Sequence, residues 1–211
     1  REIMAYSKER ASKIETKDIK YIPVGINENV KLKSAKVETS PNGNTFLEIV
    51  FEKDGATLTQ TEWKPTLGGF VTTQDQLQER EDRQFSRMLQ ILHCFYDDAV
   101  LNFSGSSFED FAAWVVAMLN AADKSKLLRV KVVYNNKGYT TLPGYSKYTF
   151  IEPMVLPEGK TSAIAILGID NMQKPVIADA ETPVDPLSTT VEQATPIMNN
   201  LANNPSDDLP F

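Results

Sequence analysis

Residues 45–63 read TFLEIVFEKDGATLTQTEW. Leu47, Ile49 and Phe51 fall on one face of an extended chain, and the Asp54-Gly55 pair is the dipeptide that closes a tight hairpin into the run ending at Trp63. Upstream, Asn29–Thr39 alternates Val30 and Leu32 with Lys31 and Lys33, and PNGN places an Asn42-Gly43 turn before Thr45. The pattern predicts a three-stranded antiparallel meander with an apolar inner face.

Downstream the period changes from two to three-and-four. Phe85, Met88, Leu89, Leu92 and Phe95 recur at helical spacing within Gln76–Tyr96, and SSFED offers Ser106 and Glu109 as a capping box for a second helix. That helix is expected to bury Phe108, Phe111, Ala112, Val115 and Leu119, with Trp114 among them. Strand patterning resumes in LLRVKVVY, YTTLP, KYTFIEPMVL and SAIAIL. The fold class predicted is mainly β with inserted helices (α+β). Residues 1–169 form one domain, with a helical insertion at about 75–122. Residues 170–211, rich in Pro and acids and without periodicity, read as a disordered tail.

The chain of 211 residues is 41% hydrophobic and 24% charged, enough for one ordinary core. No apolar run approaches the roughly 20 residues of a membrane span, so no membrane partner is expected. A single Cys (Cys94) beside a single His (His93) supplies neither a disulfide framework nor a metal-ligand set. A reducing, cytoplasmic setting and no cofactor are expected. The chain opens on Arg1 rather than Met, which predicts a processed or trimmed start.

The net charge of −6 is unevenly placed. From Asp170 onward seven acids stand against Lys174, which accounts for the whole of it, and Asp75–Asp110 carries eight acids against Arg80, Arg83 and Arg87. The remaining segments are basic. Their cations sit on strands: Lys31 and Lys33 in the first, Arg129 and Lys131 in LLRVKVVY. Near them in sequence are Trp63 and Lys64, then Tyr134, Tyr139, Lys147 and Tyr148. Trp63 shares its strand face with Thr59 and Thr61, both poor core residues, and is the foremost stacking candidate. Single strands are bound by basic grooves that follow phosphates and by aromatics on which bases stack, so these ten residues form the candidate nucleic-acid surface.

Enzyme signals fail. EGKT at Glu158–Thr161 lacks the leading Gly of a phosphate loop, where Met154 stands, and Pro157 interrupts it. His93 lies mid-helix, and Asp97-Asp98 reads as a helix end. No catalytic or metal-ligating residue is assigned.

The last five residues, Asp207, Asp208, Leu209, Pro210 and Phe211, resemble the C-terminal tip of bacterial single-stranded DNA-binding proteins, with Leu209 in place of Ile. The body, an elaborated β domain ahead of an acidic tail, is similar to bacteriophage proteins of the same class. The resemblance implies an OB-fold-like Greek-key barrel that coats single-stranded DNA in replication, recombination and repair. It also implies a tip whose Phe and terminal carboxylate bind partner proteins, in a bacterial cell or a phage-infected host. The helix pair departs from the bacterial pattern, so its homotetramer does not carry over and oligomeric state stays open. Two other readings remain: a β-barrel interaction or assembly module without nucleic acid, and an RNA-binding OB protein.

Overall fold

The two predicted hairpins form where their turn dipeptides lie. The computed structural model describes residues 8–14 and 18–176. A helical turn, α1 (Lys8–Ala11), precedes β1 (Gly25–Thr39), β2 (Thr45–Lys53) and β3 (Ala56–Trp63). Helices α2 (Gln74–His93) and α3 (Phe108–Ala121) follow, then β4 (Leu128–Tyr134), β5 (Thr140–Thr141) and β6 (Ile151–Pro153). Between β2 and β3 the central residues Asp54 and Gly55 have φ of 51° and 79°. Both are left-handed, as the hairpin turn that matches strand twist requires, and Gly adopts that conformation without steric cost.

The strands make one mainly antiparallel six-stranded sheet in the order β3-β2-β1-β4-β5, with β6 also paired to β4. β1 serves two partners. Its second part pairs with β2 from Lys31↔Glu52 to Thr39↔Thr45, and its first part pairs with β4 from Gly25↔Val132 to Val30↔Leu128. The ladder to β4 slips between Asn27 and Val30, where Asn29 takes φ 59°, and the ladder to β2 slips between Leu32 and Ser34. The second slip moves the inward position from Ser34 to Ala35, so Val30, Leu32 and Ala35 are buried while Lys31 and Lys33 face out. The described sheet is not closed by a backbone ladder between β3 and β5. Gln60 spans that gap, its Oε1 accepting from Thr141 Oγ1 (2.9 Å) and Leu142 N (3.1 Å).

Leu47, Ile49, Phe51 and Leu58 from the meander meet Met88, Ile91, Leu92, Val115, Leu119, Val130 and Phe150 in one core. Helix α2 starts at a capping box in which Thr73 and Gln76 bond reciprocally. The cap of α3 differs from expectation. Ser107, not Ser106, accepts from Asp110 N (3.0 Å), and Glu109 is drawn away to pair with Lys64 at 2.9 Å. Phe108 and Trp114 are only partly buried, and Trp114 packs on Phe103 with ring centres 5.2 Å apart.

The C-terminal strands are shorter than the alternation predicts. KYTFIEPMVL contributes only Ile151–Pro153, and SAIAIL forms no strand. Its backbone is satisfied from the side instead: Ala163 N donates to Glu152 Oε2 (3.1 Å) and Ala165 O accepts from Lys131 Nζ (2.6 Å). The packed fold also continues past the expected boundary at 169, because the Asp170 carboxylate is buried and Tyr134 N donates to Asn171 O (2.9 Å). Residues 177–211, and with them the rest of the expected tail and its tip, lie outside the described residues. No described helix is long and apolar enough to cross a membrane.

Candidate nucleic-acid interface

The end of β3 lies against the middle of α2, at Gln84 and Arg87. Strand alternation turns Leu58, Gln60 and Glu62 inward and Thr59 and Trp63 outward. Trp63 rests on Phe46, its partner across β2, with ring centres 4.5 Å apart, and 49% of the residue stays exposed. Opposite it, Arg80, Arg83 and Arg87 fall at i, i+3 and i+7, which puts them on one side of α2. With Lys64, Thr66, Gly68 and Gly144 these residues line a cleft of about 450 Å³.

The floor of this cleft is a closed polar network. Glu62 Oε1 accepts from Gln60 Nε2 (2.9 Å) and pairs with Arg87 Nη1 (2.7 Å), while Oε2 accepts from Gln84 Nε2 (3.1 Å). Arg87 Nε continues to Pro143 O (3.1 Å) and Gln84 Nε2 to Trp63 O (3.0 Å). Every described buried side-chain polar atom has a partner, as low local dielectric demands. The network ties β3, α2 and the loop after β5 together, so Trp63 and the arginines stand on a fixed base.

A second cleft, about 330 Å³, shares Arg87 and Gly144 with the first and runs past Tyr134, Asn136, Thr141 and Tyr145. The two meet at Arg87 and Gly144 and together outline a groove from the β3–α2 contact to the seam between β3 and β5. Among the described residues Arg80 has no ion pair, and Arg83 has one long contact to Glu79 (3.5 Å). The Lys64–Glu109 pair is half-exposed, so water and salt screen it and it holds Lys64 only loosely.

The predicted residues do not all converge here. Trp63 and Lys64 line the first cleft and Tyr134 the second. Tyr139 is 66% exposed beside Lys137 on the β4–β5 turn, and Lys147 stands 6.0 Å from the Tyr148 ring on the loop after β5. Lys31 and Lys33 are exposed on β1 but line neither cleft, and Lys33 pairs with Glu52 (2.6 Å). Arg129 is held between Glu152 (2.6 Å) and Glu28 (3.2 Å). Its pKa is raised, first by the Glu152 hydrogen bond. Burial would raise the Glu152 carboxyl, but hydrogen bonds from Ser162, Arg129 and Ala163 N hold it below its ordinary range.

Lys131 is the clear correction. Expected on an outward face, it is 0% exposed, its Nζ bonded to Asp170 Oδ2 (2.8 Å) and Ala165 O (2.6 Å) and placed over the Tyr145 ring at 5.2 Å. The segment 163–170 covers the outer side of β4, so both faces of that strand are inside. Asp207, Asp208, Leu209, Pro210 and Phe211 lie outside the described residues.

The arginines of α2 are the residues that sequence reading passed over. They lie within the most acidic stretch of the body, and a net charge hides a one-sided spacing. The signal was present in the 80, 83, 87 periodicity. A second signal was Gln60 and Glu62 at inward positions of a strand, a break in the apolar pattern that marks a polar site.

The chain matches no protein-family model, and no curated protein matches it.

Proposed function

We propose that this protein binds single-stranded DNA along the groove between β3 and β5, as a non-enzymatic coating protein of replication, recombination and repair. The observation that carries the reading is the half-exposed Trp63 in one cleft with Lys64, Arg80 and Arg83. A flat ring with an open face and unburied cations beside it meet the two needs of single-strand binding, base stacking and phosphate neutralisation. Tyr134, Tyr139 and Tyr148 extend the aromatic surface along β4, its turn to β5 and the loop that follows. On this reading the sheet, in the order β3-β2-β1-β4-β5, curls into a partly open OB-type barrel, and the bonds from Thr141 and Leu142 to Gln60 across the gap between its edge strands support it. Residues 207–211 serve as a partner-binding tip, a reading supported by their sequence.

The test is a titration of a fluorescein-labelled oligothymidylate by anisotropy across salt concentrations, with the matching RNA in parallel. Affinity that falls steeply with salt supports the groove, and absence of binding at low salt overturns it. Tighter binding of the RNA would move the assignment to an RNA-binding OB protein.

A second reading, an interaction module, is favoured by one feature. A cleft of about 390 Å³ between α2 and α3 is lined by Phe85, Phe103, Phe108 and Phe111 with Glu81 and Asp82 beside them. Such a surface suits a cationic, apolar protein segment rather than a phosphate.

A further inference from the structure

We infer that Phe70, on the turn whose Gly68 lines the Trp63 cleft, is a base-stacking residue, an inference that rests on the single-strand reading above. Phe70 is 96% exposed. It stands on the turn Leu67-Gly68-Gly69-Phe70-Val71, where Gly68 and Gly69 take φ of 133° and 60°, conformations that side chains with a Cβ rarely adopt. Two backbone hydrogen bonds close the turn, Gly68 N to Val71 O (2.9 Å) and Val71 N to Gly68 O (3.1 Å). Directly after Phe70 the chain is anchored twice. Val71 is buried, and Gln76 Oε1 accepts from Thr72 N (2.8 Å) and Thr73 N (3.3 Å) at the start of α2.

The ring is therefore presented to water by a backbone with little freedom to withdraw it. Gly68, two residues before Phe70 and bonded to Val71 just after it, lines the cleft that holds Trp63, Lys64, Arg80 and Arg83, and the closed turn keeps Gly68 and Val71 within about 7 Å of each other. An exposed aromatic on a closed turn that borders a cation-lined cleft fits an unpaired base, whose apolar face would stack on the ring while the strand's phosphates meet the arginines. The side chain has no polar atom, and the amides of Gly68 and Val71 are already bonded within the turn. Phe70 thus takes any base and reads none, adding a second platform to Trp63.

Phe70→Ala and Phe70→Tyr in the full chain, titrated against labelled oligothymidylate at several salt concentrations, test this. The alanine variant is expected to bind about 5- to 150-fold more weakly, the range of one lost stack, with an unchanged salt slope because no charge is removed. The tyrosine variant should stay within about twofold of the parent, since its ring stacks equally well. Both should melt with the parent, as the side chain touches little of the fold. If the parent binds and Phe70→Ala binds equally well, the inference is overturned while the groove stands. If the parent does not bind, both fall. Should the alanine variant keep DNA affinity and instead lose self-association in sedimentation, Phe70 belongs to a contact between copies, and the stacking role is overturned.

Discussion

Lys131 Nζ and Asp170 Oδ2 meet at 2.8 Å with both side chains withdrawn from solvent, joining β4 to the chain that follows the last strand. Removing one member of a buried pair leaves the other uncompensated, at about 3–5 kcal/mol. Lys131→Met should destabilise by that amount in urea denaturation. Asp170→Leu should cost at least as much, because Tyr145 Oη and Leu167 N also lose their acceptor. Losses below about 1 kcal/mol for both would mean that the pair is not buried in solution.

Acid should release the same clasp. Burial would raise the Asp170 carboxyl, but bonds from Lys131, Leu167 N and Tyr145 hold it below its ordinary range, and Glu152 is held low in the same way. A carboxyl depressed in the folded state adds stability that is complete above its unfolded pKa of about 4 and is lost as pH falls through the folded value. Urea midpoints taken from pH 6 to pH 2 should therefore fall most steeply below about pH 4, and Asp170→Asn should flatten that limb. An equal acid dependence in the variant would remove Asp170 from the account.

Trp63→Ala should weaken single-strand binding about 5- to 150-fold. Its cost in stability should be only about 1 kcal/mol, the part due to its ring contact with Phe46. Anisotropy and thermal melting on one preparation separate the two. A large stability loss with unchanged affinity would make the residue structural.

Charge should be read at α2 rather than on β4. Arg80→Ala and Arg83→Ala are each expected to lower the slope of log affinity against log salt by about 0.7, the contribution of one phosphate on a single strand. Lys31→Ala, outside both clefts, should change it less. Equal slopes in all three variants would place the phosphates elsewhere.

Residues 178–211 carry six acids and no Lys or Arg, so a chain ending at Ile177 is neutral overall. It should bind single strands more tightly than the full chain at 0.01 M salt, where the Debye length is about 30 Å, and nearly equally at 0.15 M, where it is about 8 Å. Deleting Phe211 alone should leave DNA affinity in place and abolish capture of replication proteins from extract. Weaker DNA binding by the shortened chain would contradict competition between acids and phosphates.

The meander was legible because its information is local. Alternation at Leu47, Ile49 and Phe51 and the Asp54-Gly55 turn act within a few residues. Lys131 was not legible, since its alternation with Val130 and Val132 says outward, and only a segment more than 30 residues later covers that side. SAIAIL misled for the same reason. Its strand-like composition is real, but Glu152, Lys131 and Asp170 take up backbone groups that a ladder would otherwise have used. In the candidate site, Trp63 followed from its strand face, while Phe70 and the arginines needed the turn and helix that carry them. Arg129 kept its place on β4 but not its freedom, because Glu28 and Glu152 converge on it from two other parts of the chain.

The divided pairing of β1 sets an order of assembly. Its second part reaches β2 across a turn of a few residues, whereas Asn27 must find Val130 roughly one hundred residues away, with both long helices in between. Closing the larger loop costs more chain entropy and repays it later, so the meander is expected to gain hydrogen-exchange protection first. The seam that carries the clefts would be the last part to mature. A chain still emerging from the ribosome would then hold a folded hairpin face long before it holds a groove.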